Sequence, residues 1–385
     1  MATSHIHQEY INRNNTPMTE AMQWQLGLQF ISLRKLNLAL TPSTNQEGSS
    51  SWSVLGESFL KFFLASYSFA RYQDSREGEL TKFTQRTSQI SVIAGHFRSS
   101  GLVNYIVGNN NQTRCSDRVA ALIFRKIIGA AIVDGGIYDA VRAIRSMGMI
   151  TDAATIAFGG IQPLFKLYAP VKVPLLPLAS IPPLPSTLDS IASFRVRKVE
   201  RALGYIFKSS QLLTQTLTHS TAEKLETYQR LEFLGDAVLE YVVAEHYYQK
   251  TPDTPAKKFK TFKSLILCND ALGSLFASLG LNKMLVIEKE STRIGLNREA
   301  AKVVSQRENG LTSWRGTHLN KSLGDTMEAM IGAVFVDSGF VDSGFDLQPV
   351  REVLRRTLVP FVDGSNLDCT IEVQVTKSSL KRKRK

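Results

Sequence analysis

Cysteine is scarce. Cys115, Cys268 and Cys369 are the three in 385 residues, far apart and without CxxC spacing. That argues against a disulfide framework or a cysteine-based zinc site and fits a reducing compartment. No apolar run is long enough to span a bilayer, because stretches such as LVIEKE and VPLLPLASIPPLP are broken by charge or proline. The opening residues, MATSHIHQEYINRNN, are polar, unlike a secretory signal. Negative charge is also in deficit: 34 Asp+Glu face 46 Lys+Arg, for a net charge of +12 and a pI near 9.5. A surplus of that size suits a polyanionic partner, because neutralising phosphates releases counterions. It serves solubility equally well, so charge alone leaves both readings open.

What remains is ordinary for a soluble globular chain, with 43% hydrophobic and 21% charged residues, and it is long enough for two cored domains. Seven of the 13 prolines fall between Pro163 and Pro185. Proline at that density removes backbone donors and disfavours helix, which predicts an extended connector. The expected organisation is a first domain over 20–150, a Pro-rich linker over 151–194, a second domain over 195–365 and a basic tail over 366–385. The tail ends in KSSLKRKRK, a run expected to be solvated.

Both domains read as all-α. In Tyr228–Tyr248, the residues Leu231, Leu234, Val238, Leu239, Val242 and Val243 recur at helical spacing. Leu323–Val336 behaves likewise and runs into Asp337-Ser338-Gly339, a stop signal. VDSGF occurs twice, at 336–340 and 341–345, and a five-residue repeat does not fit a helix, which places the second copy in a loop. The halves also look like divergent copies. LALTPSTNQ and WSVLGESFLKFFLASYSF within 38–69 parallel LTQTLTHST and LEFLGDAVLEYVVAEHYY within 213–248, and ALIFRKIIGAAIVDGG parallels GDTMEAMIGAVFVDSG.

Glu232 and Asp236 are four apart in one predicted helix, Asp325 and Glu328 three apart in another, so each pair shares a face. Acidic pairs at this spacing are usually solvated surface groups. Here they sit inside apolar helices, where like charges cost about 0.2–0.5 kcal/mol per pair. Basic neighbours are few: Glu232 has Tyr228 and Asp236 at its i±4 positions, and Glu328 has Gly324 and Gly332. Four converging carboxylates do not all stay ionised without a cation. Magnesium suits them, since it takes oxygen ligands, keeps waters and binds phosphate oxygens.

These residues carry a family resemblance. YQRLEFLGDAVLEYVV is similar to the signature of the ribonuclease III family, NKSLGDTMEAMIGAVFVDSG resembles its second acidic helix, and VERALGYIFKSSQLLTQTLTHST (199–221) resembles its opening helices. The resemblance covers about 195–362 and, more weakly, 20–150. It implies two ribonuclease III-type helical domains in tandem, as in Dicer-like proteins, and EGELTKFTQR (77–86) resembles a segment of their first copy. It implies a magnesium-dependent endonuclease for double-stranded RNA, with manganese as a substitute, and Glu232, Asp236, Asp325 and Glu328 as metal ligands. Lys321 stands where Dicer-type enzymes carry a lysine that stabilises phosphate charge; a plain i,i+4 ion pair with Asp325 is the competing reading. Asn269 matches a family asparagine and reads as a helix-contact or supporting residue. His219 matches a family position and reads as a hydrogen-bonded core residue rather than a base.

The departures are as informative. At the four carboxylate positions the first copy has Ser53, Glu57, Leu122 and Arg125, so that copy is expected to hold no magnesium and to act as a structural partner. Lys257, Lys258, Lys260 and Lys263 lie on what resembles the RNA-facing helix, where AKKFK replaces the family's Gly-x-Leu pattern. Such a run is either a solvated face or a set of phosphate contacts. The two units are expected to pair within one chain or across a homodimer, with no membrane partner. No helicase, PAZ or double-stranded-RNA-binding domain is recognisable. The expected location is the nucleus or cytoplasm. The competing functions are a non-catalytic RNA-binding scaffold, like ribonuclease III-like proteins in ribosomes, and a protein-interaction module that binds no RNA.

Overall fold

A computed structural model describes residues 16–42, 49–106, 115–150, 191–222, 227–314, 316–339 and 346–364. The Pro-rich run, the second VDSGF copy and the basic tail lie outside the described residues. The expected all-α class holds: the described residues form helices joined by short turns, with a single parallel bridge between Thr218 and Val286.

The described residues divide into two compact units. The first takes its residues from Met1–Asp74, Gly78–Ile161 and Val243–Lys260, the second from Ser75–Glu77, Gln162–Val242 and Thr261–Lys385. The units therefore differ from the halves expected from the sequence by an exchange of segments. The exchange has local causes inside the first unit. Ser51 Oγ donates to Pro252 O at 2.7 Å, Trp52 Nε1 donates to Tyr248 Oη at 3.0 Å, and the rings of Tyr247 and Phe259 lie 4.9 Å apart.

In the first unit, α1 (Thr16–Leu26), α2 (Leu33–Ala39), α3 (Ser49–Arg71), α4 (Glu77–Thr87) and α5 (Ile90–Ser99) lead to α6 (Asp117–Gly135) and α7 (Ile137–Ser146). Helix α3 packs along α6. Glycine permits this close crossing: a Cβ on Gly56 would fall 2.0 Å from Arg125 O, and one on Gly129 would fall 2.1 Å from Trp52 O. Phe59, Phe62, Phe124, Ile127 and Ile128 fill the interior. Lys126 is buried among them; its Nζ donates to Thr41 O at 2.7 Å, and burial lowers the ammonium to about 8.

The second unit contains α8 (Ile191–Leu203), α9 (Ser210–Leu217), most of the charged part of α10 (Gln229–Lys250), the end of α11 (Ala256–Ile266), α12 (Asn269–Ser278), α13 (Glu290–Glu308), α14 (Lys321–Asp337), α15 (Gln348–Arg356) and α16 (Leu358–Asp363). Helix α14 is buried over nearly its whole length and packs on α12 and α9. The same glycine device recurs where α10 crosses α14. A Cβ on Gly235 would fall 1.8 Å from Glu328 O, and one on Gly332 would fall 2.2 Å from Leu231 O.

A second device is also shared. At the end of α14, Asp337 accepts from Tyr205 Oη, Lys208 N and Ser209 N at 2.8, 2.8 and 2.9 Å. At the end of α6, Asp134 accepts from Ile31 N, Ser32 N and Lys35 Nζ at 2.5, 3.3 and 2.9 Å. Each carboxylate satisfies open donors at the N-terminus of a short helix, α9 or α2. Two crossings and two buried caps at matching places support the duplication read from the sequence.

Candidate metal centre

Helix α10 begins just after Tyr228, and its first turns carry Glu232 and Asp236 one turn apart. Helix α14 begins at a cap, where Asn320 Oδ1 accepts from Ser322 N at 3.0 Å. That cap places Lys321 at the helix start, with Asp325 and Glu328 on the following turns. Because Gly235 and Gly332 let the two backbones approach, carboxylates from both helices reach one place.

Glu232, Asp325 and Glu328 each contribute an oxygen to a group whose members all lie within 4.8 Å of one another. Asp325 and Glu328 are buried, and Glu232 is half-buried. Asp236 lies outside that tight group, yet its charge acts on both Asp325 and Glu328.

The electrostatics follow from burial and crowding. Burial first, and then the charges of Asp236, Asp325 and Glu232, push the Glu328 carboxyl up to about 9, with Lys321 pulling the other way. Burial and the charge of Asp325 raise Glu232. Burial also raises Asp325, where Lys321 offsets part of the effect. Lys321 Nζ donates to Glu232 Oε1 at 3.0 Å and lies 2.8 Å from Asp325 Oδ1. Burial opposes its charge, but these two contacts raise the ammonium above the usual lysine range. Lys321 therefore pairs with both helices, beyond the simple i,i+4 pair with Asp325.

One ammonium does not neutralise the three carboxylates Glu232, Asp325 and Glu328. Asp325 Oδ1 is buried with Lys321 Nζ 2.8 Å away, and that ammonium is shared with Glu232. A crowded, largely buried set of carboxylate oxygens that shares one ammonium fits a hard divalent cation better than a soft one.

A supporting layer lies beneath the acids, and the sequence reading did not single out most of it. His219 is buried; its Nδ1 accepts from Thr221 N at 3.2 Å, which leaves Nε2 to donate to Ser322 Oγ at 3.0 Å. Burial lowers its pKa, and both ring nitrogens are taken up by hydrogen bonds, as in a hydrogen-bonded core residue. Tyr228 is buried with its ring 5.9 Å from His219, and its hydroxyl meets Ser322 and Ser220. The available signals were the places of Tyr228 one turn before Glu232 and of Ser322 next to Lys321. Asn269 opens α12, and its Cα would meet a Cβ on Gly324 at 3.1 Å, a helix contact.

The four lysines of α11 divide. Lys257 and Lys258 are exposed. Lys260 is exposed too, but its Nζ lies 2.6 Å from Glu57 Oε2. Lys263 is largely buried against Glu240, 2.5 Å away.

At the matching place in the first unit, the predicted loss of ligands takes a definite form. Arg125 Nη1 lies 3.2 Å from Glu57 Oε1, while Ser53 Oγ turns back to Ser50 O at 2.7 Å. Leu122 offers no donor.

Residues 229–339 match the family model described as Ribonuclease III domain. Over 356 residues the chain is 28% identical to Endoribonuclease Dicer homolog 2b of Oryza sativa subsp. japonica, a match covering 88% of this chain and 25% of the relative. It is 32% identical over 178 residues to Ribonuclease 3 of Francisella tularensis subsp. holarctica, covering 46% of this chain and 64% of that protein. The crystal structure of Dicer from Giardia intestinalis shares the fold over 81% of this chain and 55% of its own, at 14% identity and a TM-score of 0.52. The chain spans about a quarter of the length of the rice relatives it matches.

Proposed function

We infer that this chain, a Dicer-like member of the ribonuclease III family, is a metal-dependent endonuclease for double-stranded RNA, with one catalytic centre at Glu232, Asp236, Asp325 and Glu328. The observation that carries the reading is the group of Glu232, Asp325 and Glu328 within 4.8 Å, two of them buried, with Lys321 as the cation paired to it. A protein that only bound RNA would gain nothing from such a cluster, which repels itself and the phosphate alike. This disfavours the scaffold reading.

Glu232, Asp236, Asp325 and Glu328 would hold the cation, magnesium by the hardness of the ligands with manganese as a substitute. When bound, the ion supplies charge neutralisation and Lewis acidity to a phosphodiester. Lys321 draws Glu232 and Asp325 together across α10 and α14, and its side chain is 64% exposed, which leaves it able to meet a phosphate. His219, Tyr228 and Ser322 brace the acids from below, so their geometry does not depend on solvent. Duplex RNA would be read by shape, phosphates and 2′-hydroxyls, since the deep major groove of A-form RNA excludes side chains. Lys257 and Lys258 suit phosphate contacts.

Pairing of the two copies within one chain is favoured over a homodimer. Its support is that residues 243–260 of the second copy lie in one compact unit with the first, held there by Trp52, Ser51 and Glu57. With one intact ligand set, a monomer would nick long duplex RNA rather than cut both strands together. The test is a duplex carrying strand-specific end labels, incubated with magnesium or chelator beside a mass measurement of the protein. Magnesium-dependent nicks made by a monomer support the reading. Concerted cleavage of both strands by a proven monomer contradicts the single-centre assignment.

A further inference from the structure

Where the first unit has lost its ligands, it has gained cations. Arg125 occupies the position that Glu328 holds in the second copy, and Glu57 the position of Asp236. Glu57 Oε1 faces Arg125 Nη1 at 3.2 Å, and Glu57 Oε2 faces Lys260 Nζ at 2.6 Å. One carboxylate thus stands between two basic side chains. The guanidinium has five N–H donors in a planar fork, and the Arg125 side chain is 19% exposed beside Glu57. Lys260 remains about half exposed despite its contact with Glu57. A structural ion pair would need one cation; here there are two, and one of them reaches well into solvent.

We propose that Glu57, Arg125 and Lys260 form a metal-free phosphodiester-binding site, in which fixed cations hold one phosphate of an RNA strand at the place where the intact copy holds a metal ion. The guanidinium takes over the electrostatic part of the ion's work and none of its chemistry, so the strand is gripped and not cut. Glu57 acts as a counter-ion that the phosphate displaces. This rests on the duplex-RNA reading above and deepens it: the degenerate unit is a positioning clamp that works without magnesium.

The test measures binding of a labelled RNA duplex in chelator across a salt titration, for wild type, Arg125→Gln, Arg125→Lys and Glu57→Gln. The clamp predicts that Arg125→Gln weakens binding and lowers the slope of log K against log salt by about one, the effect of one lost phosphate contact. Arg125→Lys should keep most of the slope. Glu57→Gln should bind RNA more tightly than wild type, because both cations lose their internal competitor. Opposite signs for Glu57→Gln and Arg125→Gln separate a clamp from a structural pair, in which either change loosens the fold and weakens binding alike. If Arg125→Gln fails to fold, the sign for Glu57→Gln decides. Arg125→Gln with wild-type affinity and slope, or weaker binding by Glu57→Gln, overturns the clamp and leaves the nuclease reading standing. No duplex binding by wild type at low salt removes both.

Discussion

The backbone of Glu328 passes so close to Gly235 that a Cβ there would fall 1.8 Å from the Glu328 carbonyl oxygen. Two catalytic candidates, Asp236 and Glu328, therefore owe their proximity to a residue without a side chain. Gly235→Ala should push α10 from α14, with a cost of about 1–3 kcal/mol from overpacking, read by urea denaturation. Gly95, with open space around its Cβ position, is the control: Gly95→Ala should stabilise α5 by about 0.5–1 kcal/mol. Equal behaviour of the two variants would mean that the crossing is looser than described.

Asp337 should matter to folding although it takes no part in the chemistry. Asp337→Ala leaves Tyr205 Oη, Lys208 N and Ser209 N without their acceptor. A buried donor left unpaired costs about 1–3 kcal/mol, so a loss of about 2–4 kcal/mol is expected in equilibrium unfolding. Burial and the bond to Asp337 both hold the Tyr205 hydroxyl in its protonated form. A loss under about 0.5 kcal/mol, the level of an ordinary surface change, would count against the cap.

The acid cluster predicts a pH dependence for the metal-free protein. Burial and its acidic neighbours push the Glu328 carboxyl up to about 9 in the folded protein, against about 4.3 in an unfolded chain. With the folded value raised, its contribution to stability is complete below about pH 4 and is lost as pH rises towards 9. In chelator, the unfolding midpoint should fall across this window. Magnesium should restore it at the alkaline end, and Glu328→Gln should flatten the profile. A midpoint for the metal-free wild type that tracks Glu328→Gln at every pH would contradict the burial and crowding described here.

Much of this was legible in the sequence because it depends on local pattern. The apolar spacing in 228–248 gave helix α10, Asp337-Ser338-Gly339 marked the end of α14, and Gly339 indeed has a φ of 98°. Comparing the two copies position by position singled out Glu57 and Arg125. What was not legible depends on contacts between distant residues. The reach of Lys321 to Glu232 spans 89 positions, and the tie of Lys260 to Glu57 turned a lysine read as an RNA contact into part of a charged trio. Lys263 is equivalent to its neighbours in sequence, but Glu240 lies against it. The exchange of 243–260 into the first unit came from single contacts of Trp52 and Ser51, which no periodicity announces.

Glu328 is proposed here as a ligand of a metal-dependent nuclease centre. Its most direct test is the rate at which wild type and Glu328→Gln cleave long double-stranded RNA in magnesium and in chelator. Wild type should cleave in magnesium and stop in chelator. Glu328→Gln keeps the shape of the side chain and removes its charge, so it should bind RNA normally while its cleavage rate falls about 100-fold or more. Cleavage by Glu328→Gln at the wild-type rate would contradict the assignment.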